Sequence, residues 1–72
     1  MYRVKAWASW ADVGTDRHYQ SKHAQLKDAL RAAKNLPHPL VDVARVGHGI
    51  IASRALVPHP QDKGSFMPRT DI

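Results

Sequence analysis

Five histidines, His18, His23, His38, His48 and His59, are the side chains of this sequence best suited to holding a metal ion. A zinc-binding helix needs two of them four residues apart, and a structural zinc site draws on cysteine. His18 and His23 are five apart, no pair has the helical spacing, and the chain has no cysteine. The histidines read as surface residues in turns, and no metal or other cofactor is expected. Pro-His-Pro occurs at residues 37–39 and again at 58–60, each time after a regular element that proline would end.

Hydrolytic chemistry needs a nucleophile with a base, or paired carboxylates in a pocket. Ser9, Ser21, Ser53 and Ser65 have no such context, and the aspartates are scattered. Gly-His-Gly at 47–49 is followed by a strand-like run, whereas a phosphate loop leads into a helix. So short a fold also leaves little room to bury a small-molecule substrate. The expectation is a binding protein and not an enzyme.

Two cationic sets are candidates for that binding. In YRVKAWASW, residues 2–10, strand alternation puts Tyr2, Val4, Ala6, Ala8 and Trp10 on one face and Arg3, Lys5, Trp7 and Ser9 on the other. Trp10 is then expected in the core, and Trp7 exposed beside two cations. Arg54 is placed on the same wet face, with Ile50 and Leu56. Aromatic, aliphatic and cationic residues together make an interface patch, and Trp and Arg are frequent hot-spot residues. The second set is Lys27, Arg31 and Lys34, spaced as one stripe along a helix, where a solvated face is the plainer reading.

The elements that must position these residues follow from periodicity. Residues 2–10 read as a strand, ADVGTD at 11–16 as a turn, and RHYQS at 17–21 as a short returning strand. Residues 22–36 carry Ala24, Leu26, Ala29, Leu30, Ala33 and Leu36 at helical spacing, with Ser21 as the expected N-cap and Pro37 as the stop. LVDVARV at 40–46 and IIASRALV at 50–57 read as a hairpin about the glycines of 47–49. Val41, Val43, Ile51, Ala55 and Val57 are expected inward, which sends Asp42 and Arg54 to water. Residues 58–72 hold three of the five prolines and no apolar periodicity, and are expected to form a flexible tail behind a domain of residues 1–57. The predicted fold is α+β, in the order β-(β)-α-β-β. One helix packs on one face of a small antiparallel sheet and leaves the other face uncovered.

Eleven Lys and Arg stand against six acids, all of them Asp, for a net charge of +5. That balance suits a polyanion or an acidic protein surface as partner. No stretch is apolar enough for a membrane span or a signal segment, so a cytoplasmic protein is expected. A nucleic-acid module, with Trp7 stacking on a base and Arg3, Lys5 and Arg54 tracking phosphates, is the alternative to a protein-binding regulator. Protein binding ranks first, because Trp7 is the one aromatic on the cationic face.

The stretch YQSKHAQLKDALRAAKNL, residues 19–36, followed by VDVARV, residues 41–46, resembles the strand–helix–strand segment of small phage-encoded proteins that bind host RNA polymerase. The resemblance implies a one-domain regulator that inhibits or modifies transcription by occupying a polymerase surface. It assigns no binding residue.

Overall fold

The computed structural model describes residues 1–62 and 64–72. Strands β1 (Tyr2–Trp7), β2 (Tyr19–His23), β3 (Leu40–Arg45), β4 (Gly49–Ala55) and β5 (Arg69–Thr70) form one sheet in the order β2-β1-β3-β4-β5. Every neighbouring pair is antiparallel. The one α-helix among the described residues, α1 (Leu26–Lys34), lies against β1, β2 and β3. It carries the chain from β2 across β1 to β3, so β2 and β3 run parallel on either side of β1. The predicted α+β fold, with one helix on a small antiparallel sheet, is the fold observed.

Alternation in the central strands builds the core. Val4 and Ala6 of β1 and Val41 and Val43 of β3 point to the helix and meet Ala29 and Ala33. The two alanines let the helix backbone approach the sheet closely. Tyr2, Leu30, Leu36, Ala52 and Ile72 pack around this cluster and are partly buried. Leu26, expected in the apolar stripe, stays exposed near the helix start.

The helix begins later than its periodicity suggests. Lys22 and His23 are not helical: they pair with Arg3 and Tyr2 and extend β2. Ser21 is therefore a strand residue, and its hydroxyl lies 2.8 Å from His23 Nε2. Gln25, with extended backbone, holds the N-cap position.

A β-bulge between Val43 and Ala44 changes which face the residues of β4 occupy. Near the turn, Arg45 faces Gly49 and Ala44 faces Ile50; beyond the bulge, Val43 faces Ala52 and Val41 faces Arg54. The extra residue, Ile51, reverses the alternation of β4. Ala52 and Arg54 thus share the helix-covered face, whereas Ser53 and Ala55 lie on the far face. Ile51 is exposed, not inward. Arg54 leaves the wet face because backbone carbonyls take its charge: its guanidinium donates to Leu36 O and His38 O, each at 2.6 Å.

The chain after Val57 also departs from its expected course. Expected to be a flexible tail, it returns to the sheet. Thr70 and Arg69 pair with Arg54 and Ala55, and Asp71 N donates to Ser53 O at 3.1 Å. Strand β5 gives hydrogen-bond partners to that end of the β4 edge, and Ile72 adds apolar contact to the core.

Candidate interaction surface

The far face of the sheet, without a helix, carries the first cationic set. Arg3 stands between Lys22 and Ala44, Lys5 between Gln20 and Asp42, and Trp7 beside Leu40. Across β3, Asp42 faces Ser53 and Leu40 faces Ala55, which in turn faces Arg69. The structure thus brings Arg3, Lys5 and Trp7 together as expected and turns the Arg54 guanidinium away from them, onto Leu36 O and His38 O.

Trp7 is on the predicted face but is not exposed. Its side chain is 8% accessible and Leu40 is 3% accessible, so this end of the face is a second small core. The covering residues come from segments without apolar periodicity. A 3-10 turn at Trp10–Asp12 folds back after β1. Trp10 Nε1 donates to Val57 O at 2.8 Å, and the His59 ring meets the Trp10 indole edge-on at 5.1 Å. His18 lies 6.2 Å from the Trp7 ring. Trp10, expected in the core, is instead the half-buried clasp that joins this turn to the chain leaving β4.

Two clefts adjoin on the far face. The first, about 220 Å³, is bounded by Trp7, Trp10, Val13, Leu40, Asp42 and Arg69, among others. The second, about 200 Å³, lies toward the hairpin and is lined by Arg3, Lys5, Trp7, Asp42, Ala44 and Ile50. Trp7 and Asp42 are walls of both. The clefts differ in their free charge. In the first, Arg69 is already paired with Asp71 at 2.9 Å, and Arg54 is held by its two carbonyls. In the second, Arg3 and Lys5 make no ion pair among the described residues.

Asp42 lies at the shared wall. Burial pushes its carboxyl above the ordinary 3.8, and the charge of Arg69 partly opposes the shift. Arg3 and Trp7, two residues of the second cleft, each carry a donor, Nε and Nε1, that is buried and has no acceptor among the described residues. An orphaned buried donor costs roughly 1–3 kcal/mol, so these atoms mark a place where an acceptor would be gained.

The second cationic set lies elsewhere. Lys27, Arg31 and Lys34 are exposed on α1 and, with Leu30 and Asn35, line a shallow groove of about 380 Å³ on the helix side of the molecule. Arg31 and Lys34 occupy the last turn, where they complement the helix dipole. The helix and the far face of the sheet cannot form one contiguous site.

The histidines do not converge. His18 contacts Thr15 O and Gln20, His23 contacts Ser21, and His38 lies beside Tyr19. Among the described residues, no three potential metal ligands come together. Sequence reasoning missed Asp42, Ser53 and Arg69 as neighbours of Lys5 and Trp7. Asp42 had a visible signal, an acid inside a β-branched strand, but its register against Lys5 is set by non-local pairing.

Fold and site together define a one-helix α+β domain whose sheet presents a cation-bearing, cleft-marked face. Comparison with protein-family models, with curated proteins and with solved structures finds no match in any of the three. Among the described residues, no helix is long and apolar enough to cross a membrane.

Proposed function

We propose that this chain is a non-enzymatic binding protein that docks the far face of its sheet on an acidic protein surface. It would act as a regulator of a larger complex such as bacterial RNA polymerase. The observation that carries this reading is the placement of Arg3 and Lys5, free of ion pairs among the described residues, around an apolar cleft on the face that the helix leaves uncovered. Lys22 extends the cationic row across β2, and Ile50, 64% accessible, supplies an apolar contact at its margin. The nucleic-acid alternative loses its stacking residue, since the Trp7 ring is shielded and Trp10 is occupied by Val57 and His59.

The test titrates fluorescently labelled protein with purified bacterial RNA polymerase and, separately, with a single-stranded oligonucleotide. The parent is compared with Arg3→Glu/Lys5→Glu and with Lys27→Glu/Arg31→Glu. Polymerase binding is expected to weaken about tenfold or more in the sheet variant and far less in the helix variant. Equal losses in both would reduce the effect to net charge and remove the sheet face as the site. Absence of polymerase binding removes that target, and tighter binding to the oligonucleotide overturns the protein-partner reading.

A further inference from the structure

The geometry points to the cleft between Arg3, Lys5 and Trp7 as a receptor for a single carboxylate, an acidic side chain of the partner, held by the two cations and the Trp7 indole N–H. This inference rests on the proposed docking face and names its anchor. Three features of the cleft converge on it.

The first is donor chemistry. Arg3 Nε and Trp7 Nε1 are buried without acceptors, and the Trp7 side chain is more than nine-tenths buried. Lys5 brings an ammonium on the same face. A carboxylate offers two oxygens and about four lone-pair sites, enough to accept from all three residues. Hydrogen bonds to an ionised acceptor are about twice as strong as neutral ones.

The second is charge. Arg3, Lys5 and Asp42 give the cleft a net formal charge of +1, which one carboxylate neutralises. A phosphate dianion would overshoot and would lie against Asp42. Arg69 does not add to the sum, because it does not line this cleft and is paired with Asp71.

The third is size and wall chemistry. About 200 Å³ is below the usual range for a drug-sized ligand and suits one side chain. Ala44 and Ile50 provide apolar contact for the methylenes that carry the carboxylate.

The test is an NMR titration of ¹⁵N-labelled protein with the peptide acetyl-Gly-Glu-Leu-Gly-amide and with its Glu→Gln counterpart. The chain has two tryptophans, so it shows two indole N–H signals. The Trp7 signal is expected to move with the Glu peptide as its N–H gains an acceptor. The Trp10 signal, already bonded to Val57 O, is expected to stay. The Gln peptide is expected to bind about tenfold more weakly, and Lys5→Met to reduce Glu-peptide binding by a similar factor. Asp42→Asn is expected to strengthen Glu-peptide binding about threefold, since it removes a like charge from the cleft wall.

Equal affinity for the Glu and Gln peptides, a Trp7 indole that does not move, or tighter binding of inorganic phosphate than of the Glu peptide would each overturn the inference. The peptide pair acts on the parent protein, so it decides the matter even if Lys5→Met unfolds. The two readings fail separately. Polymerase binding with a silent Trp7 indole would remove the anchor and keep the docking face. A responsive indole without polymerase binding would keep the anchor and remove that target.

Discussion

Replacing Trp7 by alanine is expected to unfold the domain at room temperature, although Trp7 lies on the face that no helix covers. The magnitude follows from its burial. A large aromatic side chain buries roughly 150–250 Å², and about 25 cal/mol per Å² converts this to roughly 4–6 kcal/mol. Trp7 keeps only 8% of its surface accessible, so nearly all of that applies. Residual compactness of the denatured chain and the methyl group that alanine retains bring the loss to about 3–5 kcal/mol, the usual cost of truncating a buried Trp. A domain this small commands only about 3–5 kcal/mol in total. The assay is urea denaturation followed by far-UV circular dichroism, with Trp7→Phe alongside. Phenylalanine preserves most of the apolar contact and removes the orphaned indole N–H, whose burial costs about 1–3 kcal/mol, so Trp7→Phe is expected to remain folded. A Trp7→Ala protein that unfolds cooperatively with a melting temperature within about 4 °C of the parent, a shift worth less than about 1 kcal/mol, would show that Trp7 does not support the fold.

Arg54→Met is expected to cost about 2–4 kcal/mol, because it deprives Leu36 O and His38 O of two charged hydrogen bonds; an unchanged urea midpoint would show that those bonds are not formed. Deleting residues 69–72 removes β5 and the Ile72 contact and is expected to cost about 1–3 kcal/mol, read by thermal melting; full retention of stability would make the fifth strand dispensable. Asp42 gives a pH signature. Its folded carboxyl titrates above 3.8, so the folded state binds that proton more tightly than the unfolded chain. The resulting stabilisation is complete below 3.8 and is lost as pH rises through the raised folded value. Asp42→Asn is therefore expected to melt above the parent at pH 7 and to converge with it below 3.8. Asp71, which the Arg69 hydrogen bond pulls below 3.8, titrates in the opposite sense but is common to both proteins. A gap that stays constant with pH would remove burial of Asp42 as its cause.

Local pattern was enough to read some of this fold. Alternation put Val4 and Ala6 inward and Arg3, Lys5 and Trp7 on one face, and β1 obeys it. The accessibility of Trp7 was not legible. The His18 ring lies beside it and Trp10 shares a cleft with it, and both belong to segments that show no periodicity of their own. Arg54 was misplaced for a different reason. Sending a cation to water is sound when no acceptors are available, but one bulge residue turned it toward the loop that ends α1, where two carbonyls accept from it. Lys22 and His23 match a helical pattern as well as a strand, and only their pairing with Arg3 and Tyr2 settles the matter. The carboxyl-terminal strand was hidden because two residues carry no recognisable pattern. Its existence depends on the unsatisfied edge of β4.

The far face of the sheet serves both the stability of this small fold and the proposed binding. The core between α1 and the sheet is built largely from alanine and valine. Such side chains bury little area each, and the far face contributes the largest buried side chain, Trp7, to a second cluster with Leu40. Trp7 is also a wall of both clefts, and Lys5 lies two residues away on the same face. The residue that supports the fold therefore borders the surface proposed to meet a partner. Occupation of the Arg3–Lys5 cleft would satisfy donors that the free protein leaves buried and unpaired. A ligand that binds only the folded state raises its stability by mass action, by about 2.7 kcal/mol at a hundred times its dissociation constant. For a domain with roughly 3–5 kcal/mol in hand, that increment is more than half of the total. In this reading the unpaired donors of Arg3 and Trp7 lower the stability of the free protein and are offset in the complex, so docking and folding are coupled through Trp7.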